Sequence, residues 1–233
     1  MLQFILDKKL YFPPVHSADP DGLLAIGGDL SPKRLLLAYR RGIFPWYNDT
    51  LILWWCPDPR FVLFPGELKI RRSMRPLLNR NAFEFTINKA FHEVISECKT
   101  IPREGQSGTW ITDEVREAYI KMHELGYAHS AEVWEKGELV GGLYGIRLGK
   151  VFFGESMFSR ADNASRYAFI KYVEALKEEG VQLIDCQMHS QYLESMGARM
   201  IKGKEFQVLL KNLVRKKKVE EQSAPPSQKR VPR

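Results

Sequence analysis

Hydrophobic and polar positions along the chain change period at several points, and each change marks an element. Residues 128–159 alternate at period two through "AHSAEVWE", "ELVGGLYGIR" and "KVFFGESMF", with turn chemistry at Lys136-Gly137 and Leu148-Gly149. That pattern predicts an antiparallel three-stranded meander. Ahead of it, "FEFTI" reads as a strand, and helical spacing predicts a helix from Asn88 with Phe91, Val94 and Ile95 inward. A second helix follows Thr112, with Asp113 and Glu114 in its first turn, Val115, Tyr119 and Met122 on one face, and Gly126 as its stop. Behind the meander, Asn163 is placed to cap a long helix, "ASRYAFIKYVEALKEE", ending at Gly180. A short strand, "VQLIDCQ", comes next, then a brief helix "QYLESMG" capped by Ser190, and a final helix near 204–215.

A strand–helix–strand unit is a crossover, so "VQLIDCQ" is predicted to run parallel to the third meander strand. Gly154 is a candidate bulge or bend within that third strand. A mixed sheet in this order, splayed open after a bulged strand, is the architecture of GNAT-type acyltransferases; the analogy is one of fold alone. The first 62 residues differ, being rich in Pro, Gly and Trp. They hold one helix, with Ser31 as N-cap, Pro32 at its first position, Leu35, Leu36 and Tyr39 inward and Gly42 just past its end. Strands "LILWW" and "FVLF" follow, around the turn-rich "CPDPR". The predicted class is therefore α+β. A small N-terminal α/β domain spans residues 1–62, a GNAT-like domain with a mixed, splayed sheet spans 63–215, and a basic tail, 216–233, is expected to be disordered.

Composition narrows the class. A 233-residue chain that is 44% hydrophobic can bury a genuine core. No apolar run approaches the ~18 residues of a membrane span, and Cys56, Cys98 and Cys186 have neither disulfide nor metal-ligand spacing. A soluble cytoplasmic protein, without a membrane partner, is expected. The net charge of +7 is uneven: from Arg199 onward there are eleven Lys/Arg against three Asp/Glu, a net of +8, leaving about −1 for residues 1–198. A compact second cluster, Lys69, Arg71, Arg72, Arg75 and Arg80, contains no acid. Concentrated cations of this kind favour a polyanion, with nucleic acid ahead of a membrane surface. The tail could equally serve solubility.

Candidate chemistry starts from the strand "VQLIDCQ". Period-two alternation puts Leu183, Asp185 and Gln187 on one side and Ile184 and Cys186 on the other. A buried carboxylate must be paired or hydrogen-bonded, so Asp185 marks a satisfied structural network or a working site. The loop before the long helix, "SRADNAS", has no glycine and no G-x-G, so the scaffold lacks the usual grip on coenzyme A pyrophosphate. No H-E-x-x-H motif or Cys/His pair points to a metal, and "GLLAIGGD" lacks the G-K-[ST] of a phosphate loop. The five histidines show no mutual spacing that demands catalysis.

Eight stretches carry a resemblance. "GLLAIGGDLSPKRLLLAYRRGIFPW", "WWCPDPR", "GTWIT", "AHSAEVW", "LVGGLYG", "FFGESMFS", "NAS" and "LIDCQ" are similar, in order and spacing, to the bacterial leucyl/phenylalanyl-tRNA–protein transferases, over about Gly22 to Phe206. The resemblance implies transfer of Leu or Phe, and less efficiently Met, from aminoacyl-tRNA to the α-amine of proteins that begin with Arg or Lys. The product is a degradation signal, and the reaction takes no cofactor. It implies Asp185 and Gln187 as the catalytic pair that orients the acceptor amine, with Asp185 helping to remove its proton. Glu155 is implied to hold the amino group of the aminoacyl moiety and, with Asp185, to form an acidic mouth. Trp110 would stack on the 3′-terminal adenine, with Trp46 nearby, while Trp54 and Trp55 read as core. Leu143, Phe152, Met157 and Ile184 match the amino-acid pocket and read equally well as core. Lys69, Arg71, Arg72, Arg75 and Arg80 are the candidate contacts to tRNA phosphates. A monomer is expected. Two other readings stay open: a GNAT-type N-acetyltransferase using acetyl-CoA, and a non-catalytic tRNA-binding protein.

Overall fold

The computed structural model describes residues 4–47, 51–101 and 110–214. Two sheets organise it. The smaller is built from β1 (Phe4–Leu6), β2 (Leu23–Gly27), β3 (Phe44–Pro45) and β4 (Leu53–Trp55), in the order β1-β2-β4-β3, with α1 (Pro32–Tyr39) between β2 and β3. The larger contains β5 (Arg60–Leu63), β6 (Glu84–Ile87), β7 (Ala128–Glu135), β8 (Glu138–Leu148), β9 (Val151–Ser159), β10 (Leu183–Gln187) and β11 (Arg199–Ile201). Its order is β11-β5-β10-β9-β8-β7-β6, and β9 with β10 is its parallel pair. Around it lie α2 (Arg75–Asn79), α3 (Phe91–Thr100), α4 (Asp113–Glu124), α5 (Ala164–Glu178), α6 (Gln191–Glu194) and α7 (Gly203–Leu213). The basic tail expected at 216–233 lies outside the described residues. Among the described residues no helix is long and apolar enough to cross a membrane.

The meander β7–β8–β9 and the α5 crossover follow the sequence pattern. Lys136 and Gly137, both at positive φ, make the first turn. The second falls at Gly149-Lys150, one residue later than read, because Leu148 still pairs with Val151. Ser31 accepts a hydrogen bond from Arg34 N–H at 3.4 Å, so the predicted cap forms, and Thr112, read as the residue before its helix, caps it by accepting from Val115 N–H at 3.2 Å. Asn163 does occupy the N-cap position of α5, but its backbone is left-handed and its side chain makes no cap bond. Its Oδ1 accepts from Arg166 Nη1 instead, and Ser159 Oγ takes the Ser165 N–H at 3.1 Å. Ser190 likewise caps by position without a side-chain bond.

One assignment changes the architecture. "FVLF" was expected to close the N-terminal domain at residue 62. As β5, it pairs antiparallel with both β10 and β11 and so belongs to the larger sheet. A short apolar strand carries no mark of which sheet will receive it; long-range pairing decides.

The large sheet buries both faces. One face, with Val62, Tyr144, Phe153 and Leu183, packs against α1, α3, α4 and α7 and is continuous with the core of the small sheet. The other, with Phe61, Leu63, Leu143, Phe152 and Ile184, packs on α5 through Tyr167, Ile170 and Val173. Strands β9 and β10 pair from Leu183–Val151 to Asp185–Phe153 and then part. Both are irregular at the fork. On β9, Gly145 faces Gly154 and Tyr144 faces Ser156, which leaves Glu155 as the extra residue. The bulge therefore falls beside the Gly154 proposed for it. A Cβ at Gly145 would lie 2.1 Å from the Phe153 carbonyl oxygen, so the strand opposite the bulge requires glycine. On β10 the register against β5 shifts between Asp185 and Gln187, and Gln187 takes a φ of 64°. Such a conformation costs a non-glycine residue on the order of 1–2 kcal/mol and points to a site.

Candidate active site

The fork gathers side chains from five elements. Glu155 stands on the β9 bulge, half-buried, and receives three hydrogen bonds. Tyr39 Oη, from the end of α1, donates to Oε1 at 2.7 Å; Gln187 Nε2 donates to the same oxygen at 3.1 Å; Tyr119 Oη, from α4, donates to Oε2 at 3.0 Å. The two tyrosine hydroxyls also touch each other, closing a triangle of three groups, the two phenols and the carboxyl. Burial raises the Glu155 carboxyl from its usual 4.5 to about 7, with nearby Asp185 adding to the rise and the three donors opposing it. Both tyrosines are held well above their ordinary value, first by burial and then by the Glu155 charge.

Asp185 lies behind this group and is fully buried. Arg60, at the start of β5, grips it in a bidentate pair: Nε to Oδ1 at 2.8 Å and Nη2 to Oδ2 at 2.7 Å. Asp185 Oδ1 also accepts the Gln187 N–H at 3.0 Å, which holds the left-handed turn. The Arg60 guanidinium sits 4.8 Å from the ring centroids of both Phe44, on β3, and Phe206, on α7. The expected acidic mouth formed by Glu155 and Asp185 is therefore corrected. Asp185 shares the face and the network, but its charge is enclosed and paired, because a carboxylate buried to this depth needs a cation.

Sequence reading brought Glu155, Asp185 and Gln187 to one place, and the fold does so. It missed Arg60, Tyr39 and Tyr119. Tyr39 and Tyr119 were read as inward-facing helix residues, correct for burial but silent about their hydroxyls. Arg60 stood in a turn-rich stretch, and its one available signal was that a buried Asp185 would demand a cation from elsewhere.

The remaining candidates occupy the surroundings. Leu143, Phe152 and Ile184 are buried on the α5 face of the sheet, while Met157 is half-buried. Met157 lines an open cleft of about 660 Å³ with Ser159, Arg160, Asn163, Arg166 and Tyr192. Trp110 is 7% exposed and packed in the core, just before the α4 cap; Gly108 and Thr109 of its motif lie outside the described residues. Trp46 is 38% exposed, edge-on to Trp55. Trp54 is fully buried and donates to the Gly27 carbonyl at 2.8 Å. Lys69, Arg71, Arg72, Arg75 and Arg80 are all exposed on the segment leading into and out of α2, and none joins an ion pair among the described residues. Among the described residues no group of three or more His, Cys, Asp or Glu could hold a metal ion.

Comparison with known proteins adds a second line of observation. A family model described as leucyl/phenylalanyl-tRNA protein transferase matches residues 62–211, and one for the N-terminal domain of the same proteins matches residues 28–58. The leucyl/phenylalanyl-tRNA–protein transferase of Flavobacterium johnsoniae is 57% identical over 210 residues, 90% of this chain and 99% of that one. That of Christiangramia forsetii is 57% identical over 206 residues, 87% of this chain and 97% of its own length. That of Pseudomonas fluorescens is 53% identical over 209 residues, 88% and 92% of the two chains. Among solved structures, L-PGS from Bacillus licheniformis aligns at a TM-score of 0.40 and 16% identity, covering 76% of this chain and 57% of that one. A GCN5-related N-acetyltransferase-like protein from Streptococcus suis aligns at 0.37 and 12%, covering 74% and 66%. Likenesses at that level carry no argument.

Proposed function

The chain belongs to the leucyl/phenylalanyl-tRNA–protein transferase family, and on that premise we propose that it moves Leu or Phe, and less well Met, from aminoacyl-tRNA to the α-amine of proteins beginning with Arg or Lys. The new N-terminus would mark the acceptor for degradation. The observation that carries this reading is the fork of β9 and β10, where a half-buried carboxylate, a primary amide and two tyrosine hydroxyls converge at one point.

An aminoacyl ester is already activated, so the protein's part is to place an amine against its carbonyl and manage a proton. Glu155 and Gln187 are the groups at the fork that an amine can reach, and a carboxylate there suits a cationic one. Asp185 acts from behind, fixing the backbone of Gln187. Leu143, Phe152, Met157 and Ile184 supply the amino-acid pocket, entered beside Met157. An apolar pocket of this kind separates neighbours by about 1–3 kcal/mol per methylene, so some breadth among Leu, Phe and Met is expected. Of the two tryptophans, Trp110 was expected to stack on the terminal adenine but is packed in the core, and the exposed Trp46 offers the aromatic surface for it. Lys69, Arg71, Arg72, Arg75 and Arg80 give salt-sensitive contacts to the tRNA backbone. We place the protein in the cytoplasm with its aminoacyl-tRNA substrates, acting as a monomer.

Acetyl-CoA is disfavoured as the acyl donor. The N–H groups of Ala164 and Ser165 at the start of α5 are already taken by the Ala161 carbonyl and Ser159 Oγ. They are not left pointing outward to meet a pyrophosphate.

The test is to incubate the purified protein with tRNA charged with labelled leucine and a peptide beginning with Arg, beside one beginning with Ala. Label is expected to pass to the Arg peptide alone. Binding of the charged tRNA with no transfer to either would leave a tRNA-binding protein on a transferase scaffold.

A further inference from the structure

We propose that Glu155, and not Asp185, exchanges the proton with the acceptor amine, while Arg60 acts as the positioning residue that holds Asp185 out of the step. The inference rests on the transfer reaction proposed above and assigns its proton.

Geometry separates the two carboxylates. Asp185 is 0% exposed, both its oxygens are engaged by Arg60, and one also holds the Gln187 N–H. No lone amine reaches it without dismantling a buried ion pair walled by Phe44 and Phe206. Glu155 keeps exposure at the mouth of the fork and has room for a proton in a literal sense. Three oxygen–oxygen contacts link Glu155, Tyr39 and Tyr119. When Glu155 is ionised, the two phenolic protons serve all three contacts, and one contact lacks a hydrogen. A third proton, on Glu155, lets each of the three groups donate once and accept once around the ring, Glu155 donating from Oε2 and accepting on Oε1 or the reverse. The triangle is thus one proton short in one state and complete in the other, which is the behaviour required of a group that takes up a proton and returns it.

The step balances. The amine nitrogen forms its bond to the ester carbonyl carbon and gives a proton to Glu155. The tetrahedral intermediate then expels the ribose oxygen of the tRNA as the C–O bond breaks. Glu155 returns the proton to that oxygen, leaving a peptide bond and a free tRNA 3′ end. The charged and titratable groups around Glu155 are Tyr39 on α1, Tyr119 on α4, Asp185 on β10 and Arg60 on β5. Burial sets its proton affinity near neutrality.

The experiment is the pH dependence of the single-turnover rate with saturating leucyl-tRNA and an Arg peptide, from pH 5.5 to 9. The wild type is expected to show an ascending limb near pH 7. In Tyr119→Phe the carboxylate loses a donor, so the limb moves to higher pH, whereas a limb belonging to the substrate amine stays in place. Glu155→Gln should lose the limb and fall about 100-fold or more in rate, in keeping with general base catalysis, while still binding charged tRNA. Asp185→Asn should keep the limb but move it to lower pH, since the Asp185 charge no longer adds to the rise. A limb unmoved in Tyr119→Phe and abolished in Asp185→Asn would overturn the proposal in favour of Asp185. Loss of tRNA binding in a folded Glu155→Gln would make Glu155 a substrate holder and overturn it too. Because Tyr119→Phe is read on active enzyme, the result does not depend on Glu155→Gln folding. Absence of transfer by the wild type would instead count against the proposed function.

Discussion

Replacing Glu155 with glutamine is expected to make the protein's stability less dependent on pH. The folded-state value of about 7 for this carboxyl lies above its usual 4.5. The folded protein therefore binds the proton more tightly than the unfolded chain, and the stability gained is full below pH 4.5 and lost as pH rises through 7. At 1.36 kcal/mol per unit, and allowing for partial titration at the lower limit, the loss between pH 5 and pH 8.5 is about 2–3 kcal/mol. Glutamine resembles the protonated acid: its carbonyl can accept from a tyrosine and its amide can donate to one, but it does not titrate. The assay is urea unfolding of wild type and variant at both pH values, followed by tryptophan fluorescence. The informative quantity is the change in ΔΔG between them, since the other titrating groups cancel. Relative to wild type, the variant should gain about 2–3 kcal/mol on going from pH 5 to pH 8.5. An equal ΔΔG at the two pH values would mean that Glu155 titrates as it does in solvent, and the burial argument would fail.

Removing Arg60 alone, as Arg60→Met, leaves a buried carboxylate without its cation and should cost about 3–5 kcal/mol by urea unfolding. The double change Arg60→Met with Asp185→Leu should recover much of that loss, and a double variant no more stable than the single would refute the account. Gly145→Ala drives a methyl against the Phe153 carbonyl at the bulge and should destabilise by about 1–3 kcal/mol, seen as a lowered melting temperature. Each alanine substitution among Lys69, Arg71, Arg72, Arg75 and Arg80 that removes a phosphate contact should weaken binding of charged tRNA and reduce the slope of log K against log salt by about one. Circular dichroism should stay unchanged in these variants, because all five side chains are exposed.

The parts of this fold legible in sequence are those set by local chemistry. The Lys136-Gly137 turn, the cap at Ser31, the helix start after Thr112 and the α5 crossover each depend on residues close together in the chain. The membership of β5 depended on partners far along the chain, and four apolar residues do not specify which edge will take them. The site divides in the same way. Glu155, Asp185 and Gln187 stand in stretches that resemble a family, and their convergence was readable from that resemblance. Arg60 and Tyr39 stand in such stretches too and Tyr119 does not, but all three come from further elements, and nothing in their local sequence distinguishes an ion-paired arginine from a turn residue, or a phenol that donates to an acid from core. The cap expected from Asn163 failed for a local reason, a left-handed backbone that sends its side chain to Arg166.

The two aromatic walls of Arg60 set an order on how the site can be built as the chain is synthesised. Phe44 is made before the arginine, whereas Phe206 follows every member of the network, including Asp185 and Gln187. A nascent chain that already contains each acid, amide and phenol of the fork still has its central ion pair open on one side. Closure waits for α7. This order makes the finished site depend on a helix synthesised after the last of its reacting groups.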